Sequence, residues 1–202
     1  GVAGAVIFVT GIIYYIFTQD APDGSYKELR AQGKMEEKKK VTGNYMDALK
    51  DPRVWVLFAI YGCCFGIELT VNNVAALYFM DYFDLSLVAA GFVAASFGLM
   101  NLFARTLGGL FGDNFGALWG LRGRSFWLFI CLFFEGCALM VFSQMQVLFL
   151  ALPSLIVFSL FTQMAEGATF SVVPFINKKA IGSVSGISDN ASYASVPSDV
   201  VR

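Results

Sequence analysis

The sequence predicts an all-α membrane protein with about six transmembrane helices. Three observations point there. Of 202 residues, 57% are hydrophobic and 14% charged, and mean hydropathy is +0.65. A soluble core of that length could not hide so much apolar surface, so most of it faces lipid or other lipid-embedded helices. Apolar runs of about 20 residues, the length a helix needs to cross the hydrocarbon, recur along the chain. Twelve of the 14 lysines and arginines, finally, fall in alternate loops.

The first apolar run, residues 2–17, has no initiator Met, basic flank or small-residue cleavage site, and reads as a truncated span. Further spans are predicted at 54–80, 86–111, 125–143 and 147–176, the last tilted or broken near Pro174. A sixth begins at 180 and fades after 187. Residues 18–53, "TQDAPDGSYKELRAQGKMEEKKKVTGNYMDALKDPR", are polar and of mixed charge. They read as a solvated central linker with room for a short amphipathic helix. The predicted organisation is a truncated helix at 1–17, a linker at 18–53, half of a helical bundle at 54–187 and a tail at 188–202. That tail, "SDNASYASVPSDVVR", lacks membrane character and reads as a partial or frame-shifted end.

Charge position sets the predicted topology. Eight of the 14 basic residues lie in 18–53, two (Arg122, Arg124) follow the third span and two (Lys178, Lys179) the fifth. The intervening "DYFDL" and "SQMQ" loops have none. Basic loops stay in the cytoplasm, so the linker is predicted inside and "DYFDL" outside.

Several chemistries find no support. There is no histidine, the commonest metal ligand and proton shuttle. Cys63, Cys64, Cys131 and Cys137 fall inside apolar runs, where thiols behave as small hydrophobes. No metal, cofactor or nucleic-acid partner is expected, and no hydrolytic or redox constellation suggests an enzyme.

Within the spans, Arg105 is the residue that demands a reason. Counted from Asp113 as the inner end of its helix, it lies about 12 Å deep, near the midplane. A cation there costs roughly 2.5–3.5 kcal/mol on insertion scales and must face the bundle interior. Helical spacing puts Gly98, Asn101, Gly108, Gly109 and Gly112 on the same side. The second span carries Tyr61, Cys64, Glu68 and Asn72 on one stripe, with Asn73 beside it. Counted from residue 54, Glu68 lies about 21 Å up, about 9 Å from Arg105 in height, which predicts that the two are unpaired. An unpaired guanidinium presents a planar fork suited to a small oxyanion, with Asn101 as a further donor. Phosphate, nitrate or an organic carboxylate would all satisfy it. Glu135 and Glu166 also lie within spans and read first as hydrogen-bonded structural acids. Glu166 and Glu68 are the candidates for proton coupling.

At "ARTLGGLFGDNFG" the chain resembles the conserved loop of the major facilitator superfamily. Three further stretches narrow the likeness: "YGCCFGIELTVNNVAALYFMDYFDL", "ASFGLMNLFARTLGG" with "WGLRGRSFWLFI", and "QMAEGATFSVVPFINKKAIGSVSGI". Over residues 14–187 they resemble the C-terminal half of the nitrate/nitrite porter family, in its eukaryotic high-affinity form. The resemblance implies that the six spans are helices six to eleven of twelve, so that the fold is incomplete here. It implies that Arg105 binds nitrate or nitrite with Asn101 and Tyr61 nearby. Gly108, Gly109, Gly112 and Asp113 would pack and cap the helix, and Gly182 and Gly186, with Ser185, would open a glycine-rich signature. It further implies alternating access, proton symport, a plasma-membrane setting among lipid, and room for an accessory membrane protein of unknown identity. Two other readings stay open: a non-transporting nitrate sensor or scaffold, and a facilitator for another small anion.

Overall fold

The computed structural model describes residues 1–18, 25–33, 45–176 and 182–187, all of them helix or short connection. The chain divides into two compact units, residues 1–41 and 42–202. In the first, α1 (Val2–Phe17) is apolar on every face, and Val2, Phe8, Tyr15 and Phe17 are all largely exposed. A helix apolar all round belongs in lipid or against other membrane helices. A short α2 (Tyr26–Ala31) follows.

The second unit opens with α3 (Tyr45–Leu49) and α4 (Pro52–Phe83). Asp51 caps α4, accepting a hydrogen bond from the Arg53 N–H at 3.0 Å, and Pro52 takes the first helical position, where its missing N–H costs nothing. The side-chain bond from Arg53, at 2.9 Å, holds the Asp51 carboxyl below the usual carboxylate range. At its far end α4 stops on Asp84, whose φ of 52° and ψ of 34° put it in the left-handed region that Asp tolerates better than most residues. Ser86 then caps α5 (Leu87–Leu99) by accepting the Ala89 N–H at 3.3 Å. The reversal thus falls at 84–86, and α4 runs three residues past the predicted end.

Met100 keeps helical dihedrals between α5 and α6 (Asn101–Ser143), so the third span runs on well beyond 111. The helical stretch Leu87–Ser143 has 57 residues, far too long for one crossing. It folds back at Trp119 and Gly120, the latter with φ 62° and ψ −143°, a conformation open essentially to glycine alone. The return arm is proved by contact: the Trp127 indole N–H donates to the Gly108 carbonyl at 3.0 Å. Those residues would be about 28 Å apart along a straight helix. Gly120→Ala is expected to destabilise the full-length protein by about 1–3 kcal/mol, read as a lowered thermal midpoint in detergent.

The last long helix, α7 (Leu148–Ile176), is the most buried of the spans. It passes through Pro153 and Pro174 and continues to Ile176, so the predicted break near Pro174 does not occur. Pro174 lies in the final turn, where little helix remains to be disrupted. Residues 182–187 form one further helical stretch; 188–202 fall outside the described residues.

Two apolar clusters hold the bundle together. One gathers Phe79, Phe97, Leu155 and Phe158; the other Val54, Leu57, Leu128, Met164 and Val172. Along α4, the second arm of α6 and α7, buried polar residues fall between them: Glu68, Glu135, Ser159, Gln163 and Glu166. In hydrocarbon such groups must bond one another or the backbone. Ser159 does so across helices, donating to the Phe97 carbonyl at 2.7 Å. That polar layer is where function is to be sought.

Candidate functional site

Three helices converge on Arg105. Its Nη2 donates to Glu68 Oε2 of α4 at 3.2 Å and also to Glu166 Oε2 of α7. Asn101, one turn before it on α6, donates Nδ2 to the other Glu68 oxygen at 3.1 Å. The Glu166 side chain is wholly buried, that of Glu68 is 6% exposed and that of Arg105 33%.

The prediction that Arg105 lacks a protein counter-charge is therefore overturned. The depth estimate fails because Asp113 does not end its helix, which continues to the break at Trp119. Arg105 stands fourteen residues before that break, about 21 Å, and Glu68 sixteen after Pro52, about 24 Å, measured from the ends of their helices. The two therefore differ by only about 3 Å in height and are nearly level.

Glycines set this geometry. A Cβ on Gly167 would collide with the Arg105 carbonyl oxygen and approach Gly109 N to 3.0 Å; one on Gly108 would collide with the Met164 backbone. The first arm of α6 and α7 thus touch backbone to backbone, as small residues permit in membranes. Gly112 similarly admits the Ser171 side chain. Among the described residues, nothing lies within 4 Å of a would-be Cβ on Gly182 or Gly186. Gly109 is looser than its neighbour, with the Gly167 carbonyl oxygen at 3.8 Å from a would-be Cβ.

A cavity of about 710 Å³ opens beside the triad. Asn101, Arg105 and Thr106 line it at one end, Phe170 and Ser171 along α7, and Asp113 with Arg124 at the other. Arg124 bonds Asp113, donates to the Ser171 carbonyl at 3.2 Å and lies over the Phe175 ring at 4.3 Å. Arg124 thus pairs with Asp113, while Arg122, two residues before it, is exposed. Tyr61 is buried, edge-on to Phe170 at 5.1 Å and stacked on Phe65, behind the cavity wall instead of on it. Asn72 is exposed, so the predicted stripe on α4 is buried only from Tyr61 to Glu68.

Four features of the site escaped sequence reasoning: the cavity-lining Thr106, Phe170 and Ser171, and the close approach at Gly167. Gln163 was missed as well. It is fully buried, one turn before Glu166, and neither amide atom has a hydrogen-bond partner. Its spacing from Glu166 and Gly167 was the available signal.

Chemically, the triad is one fixed cation between two carboxylates, with the Arg105 Nε and Glu166 Oε1 buried and unpartnered. It can exchange one planar carboxylate for another planar oxyanion without changing the guanidinium's bonding.

The chain matches the Major Facilitator Superfamily model over residues 1–196. It is 42% identical to "High affinity nitrate transporter 2.5" of Arabidopsis thaliana over 172 residues, 85% of this chain and 34% of that protein. To "High-affinity nitrate transporter 2.3" of Oryza sativa subsp. japonica it is 37% identical, across 92% of this chain and 36% of the relative. "Nitrate transporter 2.2" of Chlamydomonas reinhardtii is 35% identical, with 92% and 37% covered. The chain thus spans little more than a third of the length of these relatives. No solved structure matches it. These likenesses bear out the resemblance to the nitrate/nitrite porter family, and three apolar helical stretches among the described residues, each long enough to cross a bilayer, mark an integral membrane protein. The chain belongs to the major facilitator superfamily.

Proposed function

We propose that this chain is part of a carrier that moves nitrate or nitrite across a membrane by alternating access, coupled to protons, with Arg105 holding the anion. The observation that carries the reading is the Glu68–Arg105–Glu166 triad at the head of an open cavity, in a chain whose relatives are named nitrate transporters.

The charge balance supplies the mechanism. Two carboxylates and one guanidinium sum to −1, so an incoming anion would meet net repulsion. Two like charges about 4 Å apart repel by about 4 kcal/mol at the effective dielectric of a partly solvated site. A proton on Glu68 or Glu166 removes one charge and frees part of the Arg105 fork. Nitrate, planar and singly charged like the carboxylate it displaces, then takes that place. Proton and anion each favour the other's binding, which is what a symporter requires. Asn101, released from Glu68, can turn its amide to the anion. Asp113 and Arg124 close the cavity's other end, which we assign to the cytoplasmic side, with the 18–53 linker. Lipid, the plasma membrane and an accessory membrane protein complete the proposed setting.

The test is nitrate uptake by the full-length protein in proteoliposomes. Arg105→Lys keeps the charge but loses the fork. The expected result is an apparent KM raised about tenfold or more, the loss of one charge-assisted hydrogen bond. An unchanged KM would overturn the assignment of the anion to Arg105.

A further inference from the structure

Behind the triad lies a third buried carboxyl. Glu135, on the return arm of α6, is 4% exposed. Its Oε2 accepts the Cys64 thiol at 3.4 Å, and its Oε1 is buried without a partner. The Thr162 hydroxyl lies beside it. That hydroxyl donates to the Phe158 carbonyl at 3.0 Å, so toward Glu135 it is at most a shared donor. Among the described residues no cation is bonded to Glu135.

An ionised carboxylate needs several donors or a counter-ion when buried. Glu135 has one weak thiol donor, a hydroxyl shared with a backbone carbonyl and no cation, and its Oε1 is left without a partner. The surroundings suit a neutral acid carrying its own proton. Cys131, one turn back on its own helix, also lies near it; Glu68 follows one turn beyond Cys64 on α4, and Glu166 one turn beyond Thr162 on α7. Arg105 is committed to those two glutamates.

We propose that Glu135 is a second proton site of the carrier: protonated in this conformation, and emptied to water once per transport cycle. This rests on the proton-coupled reading above. Its two polar neighbours sit four residues from the two acids of the triad, on different helices. Any movement that parts α4 from α7 around the anion must also break the Cys64 or the Thr162 contact. Water entering that gap takes the proton: the carboxyl O–H bond breaks, hydronium leaves, and the carboxylate is left hydrated until it is refilled from the other side.

The experiment uses full-length protein in proteoliposomes, measuring nitrate–nitrate exchange and nitrate accumulation driven by an imposed pH gradient. Glu135→Gln keeps the shape and removes the titration. Exchange, which moves no net proton, is expected to stay within about twofold of wild type, while driven accumulation falls about tenfold or more. Glu135→Asp, still an acid, is expected to recover at least about half of the accumulation. The proposal is overturned if the Gln variant accumulates like wild type, if it loses exchange as well, or if Asp does no better than Gln. A wild-type protein that accumulates no nitrate under a pH gradient would sink the parent reading, whatever Glu135 does.

Discussion

Arg105→Ala is expected to lose nitrate transport completely and to destabilise the folded protein by about 3 kcal/mol, the lower end for breaking a buried ion pair because the guanidinium is one-third exposed. The variant leaves Glu68 and Glu166 facing one another across the space the arginine filled, both nearly or wholly buried. Neither has another cation in reach among the described residues. The stability loss should appear as a lower thermal midpoint and a smaller monodisperse fraction on extraction. Removing the stranded charges should reverse it: the triple variant Arg105→Ala, Glu68→Gln, Glu166→Gln is expected to regain most of the midpoint, because uncharged amides in that space carry no repulsion. Transport should not return with it, since nothing remains to hold an anion. That split separates the two roles proposed for the arginine. A single Arg105→Ala variant as stable as wild type would mean that the triad is not formed in the folded protein.

The membrane class was legible in the sequence because it depends on sums. Long apolar runs and charges sorted into alternate loops survive errors of several residues at any boundary. The polar stripe on α4 and the small face around Arg105 were legible too, as helical spacing fixes which side chains share a face. What failed was the relation between helices. The pairing of Arg105 with Glu68 turned on where the Arg105 helix ends, and Asp113 looked like its end because charge, glycine and asparagine cluster there. The backbone instead remains helical to Trp119, where Gly120 makes the turn. Glu166 could be recognised as an intramembrane acid, but nothing local to "QMAEGATF" says that it reaches the same guanidinium. Both facts belong to tertiary geometry.

Glycine shows the same divide and carries the last prediction. Gly91, Gly136 and Gly167 are all glycines within long helices, indistinguishable as letters. Around the first two, nothing lies within 4 Å of a would-be Cβ. At Gly167 the added atom would overlap the Arg105 carbonyl oxygen and stand 2.9 Å from its carbon. Backbone cannot rotate aside as a side chain can, so α7 and the first arm of α6 would have to separate. Gly167→Ala is expected to cost about 1–3 kcal/mol of stability as overpacking, and Gly167→Val more. Function should suffer further. Separation of the helices draws Glu166 from Arg105, and a shift of about 1 Å at a binding constellation can lose about a hundredfold in activity. Gly136→Ala provides the matched control: the same chemical change where the described residues leave open space, expected to be neutral or to gain up to about 1 kcal/mol from helix propensity. Thermal midpoints and nitrate uptake of the two alanine variants, measured side by side in the full-length protein, decide the matter. Equal behaviour would mean that the backbone contact at Gly167 does not set the position of the triad; a large difference would trace the level pairing of three charges to the absence of one methyl group.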